Sequence, residues 1–260
     1  MVIAKDLSHH TYAKIKNMKR KNYKLEISYI GTNYNGWQRQ KNGVGIQQII
    51  EDLLSKLLEE KITLIGAGRT DAGVHALKQV ANFKTDRHLN PKTIYTYLNA
   101  KLPRDISILK VEEVDLSFNA RFSAKGKTYI YKINTKPDPF LYNLSWYYNK
   151  KLDLKKMLEG VDLIKRYKDL SSLAKSGEYI RNEIDLRELK LYFDGKIITV
   201  EITASHFLRN MVRRIVGHLV ALGRGSLTVE ELKDIIEKKN PSYGKFTAPP
   251  EGLYLKEVYY

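Results

Sequence analysis

The sequence predicts an α+β protein with two domains, each built on a mainly antiparallel sheet with helices beside it. Patterns typical of strands and of helices are interspersed in both halves, a hairpin signal is present at Asp194-Gly195, and no regular strand–helix–strand rhythm is found. A length of 260 residues leaves room for one large domain or two medium-sized ones, and two are expected. Lys and Arg cluster around Gly126, within residues 118–127, which places the boundary between a domain of residues 22–120 and a domain of residues 121–260.

The first domain is predicted to contain four strands and two helices. Leu25, Ile27 and Tyr29 alternate with polar residues, which indicates a half-buried strand, and a loop follows at Trp37–Gln40. Apolar residues then recur at helical spacing: Ile46, Ile49, Ile50, Leu53, Leu54, Leu57 and Leu58. The remaining predicted elements are strands at Ile62–Ile65, Val74–Phe83 and Ile106–Val114, and a helix that begins after the cap Asn90 and ends at Leu102-Pro103.

The second domain is also predicted to combine strands and helices. Tyr129, Tyr131 and Ile133 alternate as a strand, a helix covers Leu154–Ile164, and residues 166–182 are expected to form a polar, mobile loop. Two strands flank the hairpin turn at Asp194-Gly195. A long helix is defined by apolar residues at helical spacing: Phe207, Leu208, Met211, Val212, Ile215, Val216, Leu219 and Val220. The last predicted helix opens with a capping box formed by Thr228 and Glu231.

The charge of the chain indicates a polyanionic partner. The formal net charge is +16 and the isoelectric point is near 9.6. Phosphates along a nucleic acid attract such a field, and the 18 tyrosines could stack on exposed bases. The alternative is a proteome that is rich in Lys throughout. Residues 1–21 carry six Lys or Arg against one Asp and are predicted to form a basic N-terminal arm.

The absence of cysteine excludes disulfides and thiolate metal sites, and a cytoplasmic location is expected. No run of about 20 apolar residues indicates a membrane span, and no apolar core of a secretory signal follows the first charges. The six histidines show no metal-ligand spacing, and neither a P-loop nor a dinucleotide-binding fingerprint is present. We therefore expect no cofactor and no metal.

Leu64–Phe83 contains the strongest candidate site. In it, Asp71 follows Arg69 and Thr70 on a predicted tight loop between Gly68 and Gly73. Glycines allow positive φ angles or close approach to a ligand, and catalytic groups are often held on such loops. In a strongly basic protein, a carboxylate facing RNA makes sense where a reaction needs it. The simpler alternative is a turn held by an ion pair.

Five segments of the chain carry a recognisable pattern. The first is Gly68-Arg69-Thr70-Asp71-Ala72-Gly73-Val74-His75-Ala76, which looks like the signature of the TruA family of tRNA pseudouridine synthases. The others agree with it in order and spacing: Asn35–Gln40, Ala120–Ala124 with Tyr129–Tyr131, Phe207–Gly217 and Ala248–Leu255. The resemblance extends over roughly residues 23–258. The first 20 residues and the stretch from Arg166 to Arg187 depart from the pattern.

The resemblance implies a function and a set of site residues. Asp71 would be the nucleophile that detaches and reattaches uracil, and Tyr129 would stack on that base. Arg69 and Arg213 would order the pocket, Arg213 by pairing with Asp71. The resemblance also implies the pseudouridine synthase fold with an active cleft between two domains, a homodimer without cofactor, and a tRNA substrate modified at roughly positions 38 to 40 of the anticodon stem-loop. The alternatives are a non-catalytic tRNA-binding or folding factor on the same scaffold and a synthase for other RNA positions.

Overall fold

The computed structural model describes residues 20–175 and 183–260, which form one nine-stranded sheet with five α-helices. The strands are β1 (Lys21–Tyr29), β2 (Ile65–Gly66), β3 (His75–Thr85), β4 (Ile106–Val114), β5 (Gly126–Asn134), β6 (Trp146–Tyr147), β7 (Leu186–Phe193), β8 (Ile197–Ala204) and β9 (Leu253–Tyr259). The helices are α1 (Ile46–Leu58), α2 (Pro91–Lys101), α3 (Leu154–Ile164), α4 (Met211–Gly223) and α5 (Val229–Glu237). The predicted α+β class is confirmed.

The sheet is mainly antiparallel and runs through both halves of the chain. Its strand order is β4-β1-β3-β9-β5-β8-β7, with β2 paired to β3 and β6 paired to β5. The halves meet where β9 lies between β3 and β5. The β3–β9 pair is parallel and short, with His75 opposite Tyr254 and Ala76 opposite Leu255. The start of β3 therefore marks the seam between the halves, and the predicted Asp71 loop directly precedes it.

The predicted division into two domains remains a prediction. The two halves share a hydrophobic core as well as the sheet. Buried apolar side chains of both halves form one connected core, in which Leu25 and Leu64 belong with Tyr131 and Val216. The predicted boundary at residue 120 lies in the connection between β4 and β5. Of the predicted arm, residues 1–19 lie outside the described part of the chain, and Lys21 already belongs to β1.

Most of the predicted helices and strands are confirmed, because local signals define them. In α1, Ile46, Ile50 and Leu54 are buried, as the helical spacing predicts. The Asn90 side chain accepts a hydrogen bond from the backbone N–H of Lys92 and caps α2. Helix α3 spans Leu154–Ile164 as predicted, and the capping box between Thr228 and Glu231 is present at α5.

The strand expected at Ile62–Ile65 is shorter in the structure and begins only at Ile65. The backbone of Leu64 is bonded to α1 instead of to a strand: its N–H donates to Glu51 Oε1 at 2.9 Å and its carbonyl accepts from Gln47 Nε2 at 2.8 Å. Both side chains are buried, so a side-chain bridge replaces the strand ladder here. Apolar periodicity alone could not distinguish these two arrangements.

Two further expectations for the second half were wrong. The stretch from residue 166 to 175 is not a polar mobile loop, since Leu170, Leu173 and Ala174 are fully buried around a short 3-10 helix; residues 176–182 lie outside the described part. The long helix begins at Met211 and not at Phe207, because Asn210 adopts a left-handed conformation that interrupts it. Within the described residues, no helix is long and apolar enough to cross a bilayer.

Candidate active site

The loop that carries Asp71 is a tight turn between β2 and β3. The N–H of Val74 donates to the carbonyl of Asp71 at 3.2 Å, and Gly73 between them has a φ of +77°. A side chain at that φ would be strained, so glycine permits the turn. On the other side, the carbonyl of Gly68 accepts a hydrogen bond from Gln79 Nε2 of β3 at 3.0 Å. The loop is thus anchored at both ends, with Asp71 at its corner.

The segment around Gly36 braces this loop from the β1 side. Trp37 donates its backbone N–H to the carbonyl of Thr70 at 3.1 Å, and the hydroxyl groups of Thr70 and Tyr29 are 2.8 Å apart. Trp37 is buried and stacks on Tyr29, although the sequence indicated only a loop there. Gly36 has a φ of +84°, and a Cβ atom on it would lie 2.3 Å from the carbonyl oxygen of Thr70. Only glycine allows this approach.

The carboxylate of Asp71 is held through one of its two oxygens. Asn210 Nδ2 donates to Oδ2 at 2.5 Å, and Arg213 Nη1 donates to the same oxygen at 3.4 Å. Arg213 also donates from Nε to the carbonyl of Ala248 at 2.8 Å, which fixes its guanidinium. No hydrogen bond to Oδ1 comes from residues 20–175 or 183–260, and the Asp71 side chain is 39% exposed. One oxygen is therefore oriented, while the other has no hydrogen-bond partner among the described residues.

Asn210 is the site residue that the sequence analysis missed. It has a φ of 56°, in the left-handed region that Asn tolerates better than most residues. Its side chain does not cap α4 and instead reaches Asp71 across the seam. The sequence offered one signal for this role. Asn tolerates the left-handed conformation, and Asn210 lies between the apolar pair Phe207-Leu208 and the helix that begins at Met211.

Replacing Asn210 with Gly is expected to lower the rate of the Asp71-dependent reaction by about 10- to 100-fold, since a hydrogen bond to a charged group contributes about 1.5–3 kcal/mol. Gly accepts the left-handed backbone without strain, so only the side-chain contact is lost. The control is Asn143→Gly, which makes the same replacement at a φ of 55°. Single-turnover rates of the two variants are compared; equal rates would show that the Asn210 side chain does not orient Asp71.

Tyr129 lies on β5 and is buried, with 8% of its surface exposed. Its ring packs edge-on against Phe207, with centroids 4.9 Å apart. Burial raises the pKa of the Tyr129 phenol well above its usual value, and nearby Tyr29 and Asp71 raise it further. The hydroxyl is therefore neutral at physiological pH. The hydroxyl makes no hydrogen bond to any described residue, so it is available to a bound base.

Arg69 is placed differently from the other predicted site residues. Its side chain is exposed, and its Nε donates to Gln38 Oε1 at 3.0 Å rather than to Asp71. Gln38 in turn donates to Gln47 of α1 at 2.6 Å. The structure thus brings Asp71, Tyr129 and Arg213 to the seam and holds Arg69 beside it. The role of Arg69 in ordering the pocket remains a prediction.

The Ala248–Leu255 segment closes the site with its backbone carbonyls. Arg213 donates to Ala248, as described, and Tyr131 donates its hydroxyl to the carbonyl of Pro249 at 2.7 Å. His75 Nδ1 accepts from the N–H of Gly31 at 2.9 Å and its Nε2 donates to the carbonyl of Glu251 at 3.0 Å. Burial lowers the pKa of His75, in keeping with this neutral tautomer. The segment thereby connects α4, β5 and β3 around Asp71.

No cluster of three or more His, Asp or Glu side chains with the arrangement of a metal site occurs in the described parts of the chain. The groups gathered at the seam are a carboxylate, a guanidinium, an amide and a phenol. Such a set can supply a nucleophile with an oriented lone pair and a surface for a planar base.

Comparison with known proteins identifies the family. The family model described as tRNA pseudouridine synthase matches residues 26–123 and 164–260. A protein of Acetivibrio thermocellus named tRNA pseudouridine synthase A is 43% identical over 92% of this chain and 100% of its own length. Proteins of the same name from Aquifex aeolicus and Ehrlichia canis are 38% and 42% identical, over 91% and 92% of this chain and 98% and 99% of their own lengths. With a family model that covers most of its residues and relatives that match nearly end to end, the chain belongs to the tRNA pseudouridine synthase family.

Proposed function

We propose that this protein isomerises uridine to pseudouridine in tRNA, at roughly positions 38 to 40 of the anticodon stem-loop, with Asp71 as the nucleophile. The observation that carries the proposal is the Asp71 carboxylate, of which one oxygen is held by Asn210 and Arg213 while the other accepts no hydrogen bond from the described residues. The names of the relatives support tRNA as the substrate. The position in the stem-loop rests on the resemblance alone.

The isomerisation of uridine requires few groups other than these side chains. The bond between ribose C1′ and uracil N1 breaks, the base turns, and C1′ bonds to C5, which loses a proton while N1 gains one. Uridine and pseudouridine are isomers, so the balance needs no oxidant, reductant or added group. The Asp71 carboxylate attacks the target nucleoside and is released at the end. Asn210 and Arg213 orient it through Oδ2, and Tyr129 keeps the detached base in the site while the base turns.

The target base must leave its stack before it reaches Asp71. A site that lies on a half-exposed loop at the seam can receive a flipped nucleotide but not an intact helix. The surrounding positive charge, +16 for the whole chain, would hold the tRNA by its phosphates and shape. A homodimer, a cytoplasmic location and independence from cofactors are part of the same proposal.

The test is to treat unmodified tRNA transcripts with the protein and to map pseudouridine at single-nucleotide resolution. Tritium release from 5-labelled uridine gives the rate in parallel, because the C5 proton is lost in each turnover. New pseudouridine in the anticodon stem-loop supports the proposal in full. Pseudouridine elsewhere in tRNA overturns the assigned positions, and tRNA binding without release of tritium favours a non-catalytic tRNA-binding factor.

A further inference from the structure

Lys127 lies beside the candidate site on the same face of the sheet as Tyr129. β5 and β8 pair in unbroken register, with Lys127 opposite Ala204 and Tyr129 opposite Ile202. Side chains two residues apart on a strand point to the same face. The ammonium group reaches the Asp71 loop, because a Cβ atom on Gly68 would lie 3.2 Å from Lys127 Nζ. The absence of a side chain at residue 68 leaves the space next to this ammonium open.

The positive charge of Lys127 has no partner within residues 20–175 and 183–260, where it makes neither an ion pair nor a hydrogen bond. Two other half-buried lysines of the sheet are compensated by carboxylates: Lys24 pairs with Glu112, and Lys78 pairs with Glu257 at 3.0 Å. Burial lowers the pKa of Lys127, and the positive charge of Arg121 lowers it further. Lys127 and Arg121 therefore place two positive charges on this side of the site, and an anion bound there would stabilise both.

Asp71 does not serve as that anion. Its bound oxygen is taken by Asn210 and Arg213, and it forms no ion pair with Lys127. Uracil is neutral and would not compensate the charge either. The remaining anion that an RNA substrate brings is a backbone phosphate, and the phosphates that flank a flipped nucleotide stay attached to it and so lie near the pocket that receives the base.

We propose that Lys127 binds a backbone phosphate that flanks the target uridine, and so fixes the position of the flipped nucleotide relative to Asp71 and Tyr129. This rests on the proposed function, since it assumes an RNA substrate whose target nucleotide enters the seam. Gly68 leaves room for the phosphate above the ammonium, and Arg121 adds to the positive field around it. The group recognised is common to all four nucleotides, so Lys127 contributes position and affinity and not base specificity.

The test measures equilibrium binding of a stem-loop RNA that contains the mapped uridine, with all variants made in an Asp71→Asn background so that no turnover occurs. Lys127→Gln is expected to weaken binding about tenfold and to lower the slope of log affinity against log salt concentration by about 0.7 to 0.9. Lys127→Arg keeps the charge and is expected to retain most of the affinity. Melting temperatures should not fall, because the substitution removes a half-buried unpaired charge.

The control is Lys190→Gln. Lys190 lies opposite Glu201 on β8, whereas its neighbour Leu189 lies opposite Ile202, so Lys190 is on the other face of the sheet from Tyr129. It pairs with Glu188. Removing this lysine also lowers the net charge by one, but we expect the affinity to change less than twofold. An equal loss in both variants would reduce the role of Lys127 to general charge and overturn the proposal.

Methylphosphonate substitution identifies the phosphate itself. Each phosphate of the RNA is replaced in turn, which removes one negative charge at a known place. One replacement beside the target uridine is expected to weaken binding to the protein with Lys127 and to have little further effect on Lys127→Gln. Equal losses for both proteins at every position would contradict the contact. Because these readouts are binding constants, they stand apart from the assay of pseudouridine formation by the wild-type protein, which tests the proposed function.

Discussion

Asp71→Asn is expected to abolish pseudouridine formation, with a loss of about 10⁴-fold or more, while the protein folds and binds tRNA. The amide has the size of the carboxylate and keeps an oxygen that can accept from Asn210 Nδ2, which now lies 2.5 Å from Asp71 Oδ2. It lacks the charge and the nucleophilicity that the reaction needs. Binding should be unchanged or tighter, because a negative charge is removed from a positively charged site. Tritium release and a binding isotherm measure the two properties separately.

The matched control for this variant is Asp234→Asn on α5. Asp234 is exposed and its side chain forms no ion pair among the described residues, so the same chemical change is made away from the seam. We expect wild-type rates from it. Pseudouridine formation by Asp71→Asn at a rate near that of the control would remove Asp71 from the mechanism. Loss of both binding and activity would instead point to a structural role of the carboxylate.

Gly36→Ala is expected to lower the free energy of unfolding by about 2–4 kcal/mol and to reduce activity strongly. Gly36 has a φ of +84°, which strains any L side chain, and the new Cβ would lie 2.3 Å from the carbonyl of Thr70 and 2.9 Å from the backbone carbon of Asp71. These are backbone atoms and cannot rotate away. The Asp71 loop must therefore move, which displaces Asp71 from Asn210 and Arg213. Urea unfolding and single-turnover rates give the two effects.

Gly195→Ala separates the effect of backbone strain from the effect of the steric clash. Gly195 has a φ of +92° in the β7–β8 hairpin, but a Cβ atom there would meet nothing within 4 Å. This variant carries the backbone strain alone, and we expect a loss of about 1–2 kcal/mol with unchanged activity. Gly36→Ala should exceed it in both measurements. Equal stability and equal rates in the two variants would show that the Gly36 segment does not hold the Asp71 loop.

The parts of the fold that the sequence predicted well are those defined by neighbouring residues. The apolar stripe of α1, the cap at Asn90 and the capping box at Thr228 each depend on residues about one helical turn apart or closer. The order of the strands depends on pairing between distant segments, and no local pattern indicates that β9 lies between β3 and β5. The buried bridge from Glu51 to Leu64 is of the same long-range kind.

The candidate site divides in the same way. Asp71 was singled out as a carboxylate on a glycine-flanked loop, and the resemblance added Tyr129 and Arg213. The structure places these three around the seam. Asn210 was missed because its role follows from a left-handed backbone angle, which turns its side chain away from α4 and towards Asp71. Lys127 carries no motif of its own. Its significance emerges only when the contacts of every nearby carboxylate are known.

The central place of β9 has a consequence for synthesis of the protein. Leu253–Tyr259 follows β3 and β5 in the chain, so a ribosome makes it after the two strands that it joins. Ala248, just before it, accepts the hydrogen bond that fixes Arg213. Until Leu253–Tyr259 has left the exit tunnel, the nascent chain therefore has two unpaired edges in the middle of its future sheet and no assembled site. Such edges are templates for aggregation, so chaperones that shield the unfinished sheet should affect the yield of this protein.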